Sequence, residues 1–192
     1  MLRGPTVREL RGSSIPLFAI YAFAPRILDA LGLGGTRANF GSAVITVLFL
    51  LGTVVFVLLI NRLGRRKVIL HSFLWSGLAL LGLGLFPQSS PTVTMLLFAG
   101  YALFIGGTQI LQWVYPNELF PTEVRGTAVG LASSLSRIGA AAGTYLVPLS
   151  LTELGIGATM LIAAGITLVG FLVSLRMAPE TRGLGLEEAA SL

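Results

Sequence analysis

Hydrophobic residues fall into six long runs along this chain, at residues 13–33, 40–60, 68–86, 93–115, 127–149 and 155–177, with short polar turns between them. Each run approaches the length of about 20 residues with which an α-helix crosses a bilayer. The pattern predicts an all-α membrane protein of six transmembrane helices. The first run contains Pro16, Pro25, Arg26 and Asp29, which predicts a kinked or broken helix. The second carries no charge, and the fifth carries only Arg137. Turn chemistry marks the breaks: Gly32, Gly34 and Gly35 after the first run, residues 87–91 after the third, and Pro116 and Pro121 around the end of the fourth. Residues 1–12 and 179–192 are left as polar flanking segments.

The runs differ around their circumference. The third and sixth are apolar on most sides, which predicts helices that face lipid. The second, fourth and fifth carry stripes of polar or small residues at helical spacing. These are Ser42, Thr46 and Thr53 on the second, and Gln109, Gln112, Trp113 and Pro116 on the fourth. On the fifth they are Gly126, Gly130, Ser134, Arg137, Ala141 and Thr144. Such stripes belong against neighbouring helices or an aqueous cavity.

Composition sharpens this picture. Only 11% of the 192 residues are charged and 54% are hydrophobic, whereas a soluble domain carries about 25% charged residues. The mean hydropathy is +0.87. The lipid bilayer is therefore the expected surrounding phase, and six spans leave no length for a soluble catalytic domain. The net charge of +5 is clustered in the turns, a membrane-topology pattern; nucleic-acid binding would put it in a stripe on a polar surface. Arg3, Arg8, Arg11, Arg62, Arg65, Arg66, Lys67, Arg125, Arg176 and Arg182 fall on one side of a six-span chain, and Arg37 alone on the other. That bias predicts cytoplasmic termini at the plasma membrane. A signal-peptide reading of residues 1–24 meets two obstacles, Pro25 directly after the Ala22-Phe23-Ala24 box and the further apolar runs. There is no Cys. No nucleophile–base pair, metal cluster or phosphate-binding loop is visible, so no cofactor, metal or enzymatic role is expected.

Candidate chemistry sits on the stripes and the basic side. A charge inside a membrane helix costs about 2.5–3.5 kcal/mol, so Arg137, about 18 Å along the helix from Arg125, needs a purpose. It either binds an anionic group in a cavity or pairs structurally with another helix. Gln109 and Gln112 can donate and accept hydrogen bonds, and Trp113 offers a ring face for stacking. Together they suit a pocket for a small polar molecule. The alternatives are interhelical bonding for the amides and an interfacial belt position for the indole. Glu118 and Glu123 can meet Arg65, Arg66 or Arg125 on the basic side, where ion pairs would latch helix ends in one conformation and release them in another. Arg62 and Lys67 read as topology determinants, and His71 as a packing or interfacial residue.

Three segments carry a family resemblance: residues 61–67 (NRLGRRK), 118–130 (ELFPTEVRGTAVG) and 179–183 (PETRG). In this order and spacing the chain resembles the major facilitator superfamily, in its sugar-porter and metabolite–proton symporter branch. The resemblance implies helices seven to twelve of a twelve-helix transporter, the C-terminal half of that fold. It implies alternating access around a central site, a missing N-terminal six-helix half as partner, and a charge network of Arg65, Glu118, Arg125 and Glu180. A second copy of the chain is the alternative partner, and a non-transporting membrane scaffold the alternative role. Residues 13–25 hold neither Gln nor Asn, where sugar porters carry a Gln-rich motif, and Arg137 is more typical of carriers of organic acids. The substrate expectation is therefore a small polar metabolite, sugar or organic acid, with proton coupling.

Overall fold

A computed structural model describes Ala24, Ile27, residues 36–119 and residues 122–178, with the side chains of residues 37, 38, 112, 113, 115–119, 122 and 177 outside the description. Five helices are described: α1 (Thr36–Leu63), α2 (Arg65–Leu85), α3 (Pro91–Leu119), α4 (Thr122–Glu153) and α5 (Gly155–Met177). Ala24 and Ile27 are also helical. Four of the five, α1, α2, α3 and α5, contain segments long and apolar enough to cross a membrane. The fourth helix, α4, is long but diluted by Ser133, Ser134, Ser136 and Arg137.

The turns are tighter than the sequence pattern implies. Gly64 alone separates α1 from α2, at φ 88°. A side chain at that φ meets steric cost, so glycine is the residue that permits the reversal. Arg65, Arg66 and Lys67, expected in a loop, instead form the first turn of α2. Gly155, at φ 78°, reverses the chain between α4 and α5 in the same way. Helix α3 continues through Pro116 to Leu119, so this proline does not mark the break.

The helices pack mainly in three pairs, α2 with α5, α1 with α3, and α2 with α3, while α4 is lightly attached. Small residues make these pairs close. A Cβ on Gly52 of α1 would collide with the Leu103 carbonyl of α3, and one on Gly106 would lie 2.7 Å from the Thr53 nitrogen. On the other side, Gly77 and Gly84 of α2 receive Leu168 and Leu161 of α5. Helix backbones in lipid associate by such approach, because lipid tails offer no hydrophobic drive between helices. A core of Ile27, Ile45, Leu80, Leu83, Phe98, Tyr101, Ile105 and Met160 fills the middle. A second cluster around Phe56, Val68, Phe73 and Leu111 fills one end.

This packing corrects one expectation. The third hydrophobic run was expected to face lipid on most sides, but α2 lies between α3 and α5 with Ser72, Phe73, Ser76, Gly77, Leu80 and Gly84 buried. Its small residues are the reason, since they let two neighbours approach at once. Ser76 Oγ satisfies itself within the helix, donating to the Ser72 carbonyl.

Candidate functional site

An open cavity of about 390 Å³ lies between α1 and α3, lined by Phe49, Thr53, Gln109, Ile110 and Val114. It adjoins the glycine crossing, because Thr53 follows Gly52 and Gln109 lies just beyond Gly106 and Gly107. Two polar groups face it among three apolar ones. Thr53 Oγ1 donates to the Phe49 carbonyl at 2.9 Å, so its hydroxyl proton is committed to its own helix and the oxygen is left as an acceptor. Gln109, half-buried, brings both a carbonyl and an NH₂. A mostly apolar cleft with a few placed polar groups is the usual form of a small-molecule site.

Helical register relates the other residues of α3 to this wall. At about 100° per residue, position 113 falls between Gln109 and Ile110 on the cavity arc, whereas position 112 lies about 60° to the other side of Gln109. The side chains of Gln112 and Trp113 lie outside the description. The sequence stripe on α1 already contained Thr53. Phe49, Ile110 and Val114 left no signal, because an apolar residue lining a cleft is indistinguishable in sequence from one facing lipid.

Arg137 is exposed on α4, and the whole stripe it belongs to, Gly126, Gly130, Ser134, Ala141 and Thr144, is exposed with it. The six positions span an arc of about 80° on the helix. Ala132, Gly139 and Gly143, on the opposite side, are buried. Small residues thus mount α4 on the rest of the bundle and turn its polar stripe outward. Ser134 and Thr144 donate back to the Gly130 and Ala140 carbonyls, both at 2.9 Å.

The expected charge network is only partly in view. Arg65, half-buried at the head of α2, donates to Asn61 Oδ1 at 3.3 Å. Arg125 is half-buried in the first turns of α4. Position 118 lies in the last turn of α3 with its side chain outside the description, and Glu180 lies outside the described residues. Arg66 reaches across to α5 and donates to the Leu175 carbonyl at 3.0 Å. His71 is exposed, with Nδ1 2.7 Å from the Lys67 carbonyl.

The family model for sugar (and other) transporters matches residues 16–192. The chain belongs to this family. It is 47% identical over 179 residues to the putative metabolite transport protein YaaU of Escherichia coli strain K12, covering 93% of the chain and 40% of that relative. It is 29% identical over 182 residues to the arabinose-proton symporter of Bacillus subtilis strain 168, covering 93% of the chain and 39% of the relative. The chain thus spans about two fifths of the length of these relatives. Its fold is similar to that of the major facilitator proton:xylose symporter XylE solved with 6-bromo-6-deoxy-D-glucose. The TM-score is 0.81 at 21% identity, over 98% of this chain and 42% of that one. The all-helical architecture is therefore part of a major facilitator fold, in a multi-pass membrane protein, as the three sequence motifs imply.

Proposed function

We propose that this chain is the C-terminal six-helix half of a secondary transporter that moves a small polar metabolite by alternating access. The observation that carries the proposal is the cavity between α1 and α3, where Gln109 and Thr53 supply hydrogen-bonding groups within an apolar lining. A hydroxyl-rich solute exchanges water for such groups at little net cost and stacks its apolar faces on Phe49 and Ile110. The outward stripe of α4, with Arg137 at its centre, faces the N-terminal half and completes the solute path, with Gln112 and Trp113 closing it on α3. Sugars and organic acids both suit a path that joins the Gln109 amide and Thr53 hydroxyl of the cavity to the Arg137 cation of the α4 stripe. Proton coupling is supported by the name of the arabinose-proton symporter among the relatives.

The six-span division, the plasma-membrane location and the cytoplasmic termini belong to the same proposal and are supported by the one-sided distribution of Lys and Arg. Arg65, Glu118, Arg125 and Glu180 act at the cytoplasmic edge as ion pairs that hold helix ends together in one state. The reading is supported by chain order, since Arg65 begins α2, Glu118 falls in the last turn of α3 and Arg125 in the first turn of α4.

Reconstitution from halves tests the proposal. The chain is expressed alone and with the remaining portion of the E. coli relative, and uptake of labelled pentoses, hexoses, polyols and small organic acids is measured. Uptake of one class by the pair, absent for the chain alone and abolished by a protonophore, is the expected outcome. Uptake by the chain alone identifies a self-assembled carrier instead. A correctly inserted pair that moves none of these solutes defeats the transport reading.

A further inference from the structure

The proposed solute path leaves one cationic patch unused. Helices α2 and α5 run antiparallel as a close pair, so the first turn of α2 and the last turn of α5 lie at the same end. The bond from Arg66 to the Leu175 carbonyl, between residues 109 apart in sequence, fixes these two ends against each other. The residues adjoining this bond are Lys67 on α2 and Arg176 on α5, both exposed. Neither the first turn of α2 nor the last turn of α5 holds an acidic residue, and the last turn of α1, one glycine before α2, holds Arg62.

Each cation heads an exposed stripe that runs down the helix. On α2 it is Lys67, His71, Trp75, Leu78 and Leu85, and on α5 it is Arg176, Leu172, Val169, Gly165 and Ile162. Trp75 is 47% exposed, Leu172 56% and Val169 58%. A cation at the head of an apolar stripe is complementary to a phospholipid, which carries an anionic headgroup at one end and acyl chains along the adjoining leaflet. A soluble anion would use the charges but leave the stripes idle.

We propose that Lys67 and Arg176 form a binding site for the phosphodiester headgroup of an anionic phospholipid, whose acyl chains lie along the outer faces of α2 and α5. The site is separate from the α1–α3 cavity and does not depend on which solute is carried. Positive side chains close to the membrane surface attract anionic lipid by about five-fold each, so the pair contributes about 25-fold in retention of lipid. Arg66 acts as a positioning residue that holds the two ends together.

Native mass spectrometry of the detergent-purified chain, titrated with phosphatidylglycerol or with phosphatidylcholine of the same acyl chains, tests this. The unmodified chain should retain phosphatidylglycerol in preference to phosphatidylcholine, and the preference should fall steeply between 50 and 500 mM salt as charges are screened, the Debye length shrinking from about 14 Å to about 4 Å. The double variant Lys67→Gln with Arg176→Gln should lose most of the preference, and Lys67→Arg with Arg176→Lys should keep it. Equal retention of phosphatidylglycerol by the neutral double variant overturns the site. Displacement of the lipid by millimolar inorganic phosphate also overturns it, because the site would then be one for free anions. Should the neutral variant fail to fold, the salt dependence of the unmodified chain decides alone, and an unchanged preference across that range refutes the proposal.

Discussion

Replacing Gly52 with alanine puts a methyl group into the backbone of α3. Its Cβ would lie 2.8 Å from the Leu103 carbonyl carbon and 2.9 Å from the Leu103 Cα, and closer still to the carbonyl oxygen. Ordinary contacts begin at 3.4 Å, so the carbonyl carbon alone requires α1 and α3 to part by 0.6 Å, and the nearer oxygen requires more. No side chain can rotate out of the way, because every clashing atom belongs to the backbone. Overpacking of this kind costs about 1–3 kcal/mol, and the rigid neighbours place it in the upper part of that range. Alanine recovers about 1 kcal/mol through its better helix propensity. The net loss is about 1–2 kcal/mol, or about 2–8 °C in melting temperature for a chain of this size. Gly100→Ala on α3 is the matched control, since a Cβ there meets nothing within 4 Å; it should raise the melting temperature by about 2–4 °C. The assay is size-exclusion chromatography of detergent-solubilised protein after a temperature series. Shifts of the same sign and size for both variants would refute the claim that the glycine crossing sets the spacing of α1 and α3.

Three further outcomes follow from the same geometry. Gln109→Ala and Thr53→Val, assayed by uptake in the reconstituted pair, should each weaken solute affinity by about three- to ten-fold, the worth of about one hydrogen bond, and Arg137→Ala should weaken an acidic solute more than a neutral one; unchanged affinity at normal membrane levels removes these residues from the path. Arg125→Ala should slow turnover more than it weakens binding, because a latch acts between states rather than on the solute, and a pure affinity loss would contradict that role. Gly64→Ala should destabilise the chain by about 1–3 kcal/mol, since φ 88° with ψ 156° is a region essentially restricted to glycine; an unchanged melting temperature would mean that the reversal can be made another way.

Much of the helical architecture is legible in the sequence because hydrophobic length is a direct response to a bilayer. The family is legible for a different reason. The NRLGRRK turn and the ELFPTEVRGTAVG segment combine charges, prolines and glycines whose order packing alone does not impose. Burial within the bundle is less legible. The apolar third run reads as lipid-facing on most sides, yet about half of α2 is buried against α3 and α5, because Ser72, Ser76, Gly77 and Gly84 count as small rather than polar only once their neighbours are known. The loops mislead in the same way: Arg65 to Lys67 look like a turn, whereas one glycine completes the reversal and frees them to begin a helix. At the candidate site, Gln109 and Thr53 are marked by polarity at helical spacing. Phe49, Ile110 and Val114 are not, since only the crossing of two helices distinguishes their cleft from the lipid side.

The pairing of α2 with α5 also constrains how the molecule is made. These helices are separated in the chain by the whole of α3 and α4, so during synthesis α2 enters the bilayer long before its partner exists. Until α5 arrives, the grooves at Gly77 and Gly84 that receive Leu168 and Leu161 stand open to lipid. A polypeptide halted anywhere before Gly155 keeps them open permanently, and quality-control proteases acting within the membrane would meet an unfinished surface at the middle of the bundle rather than at its end.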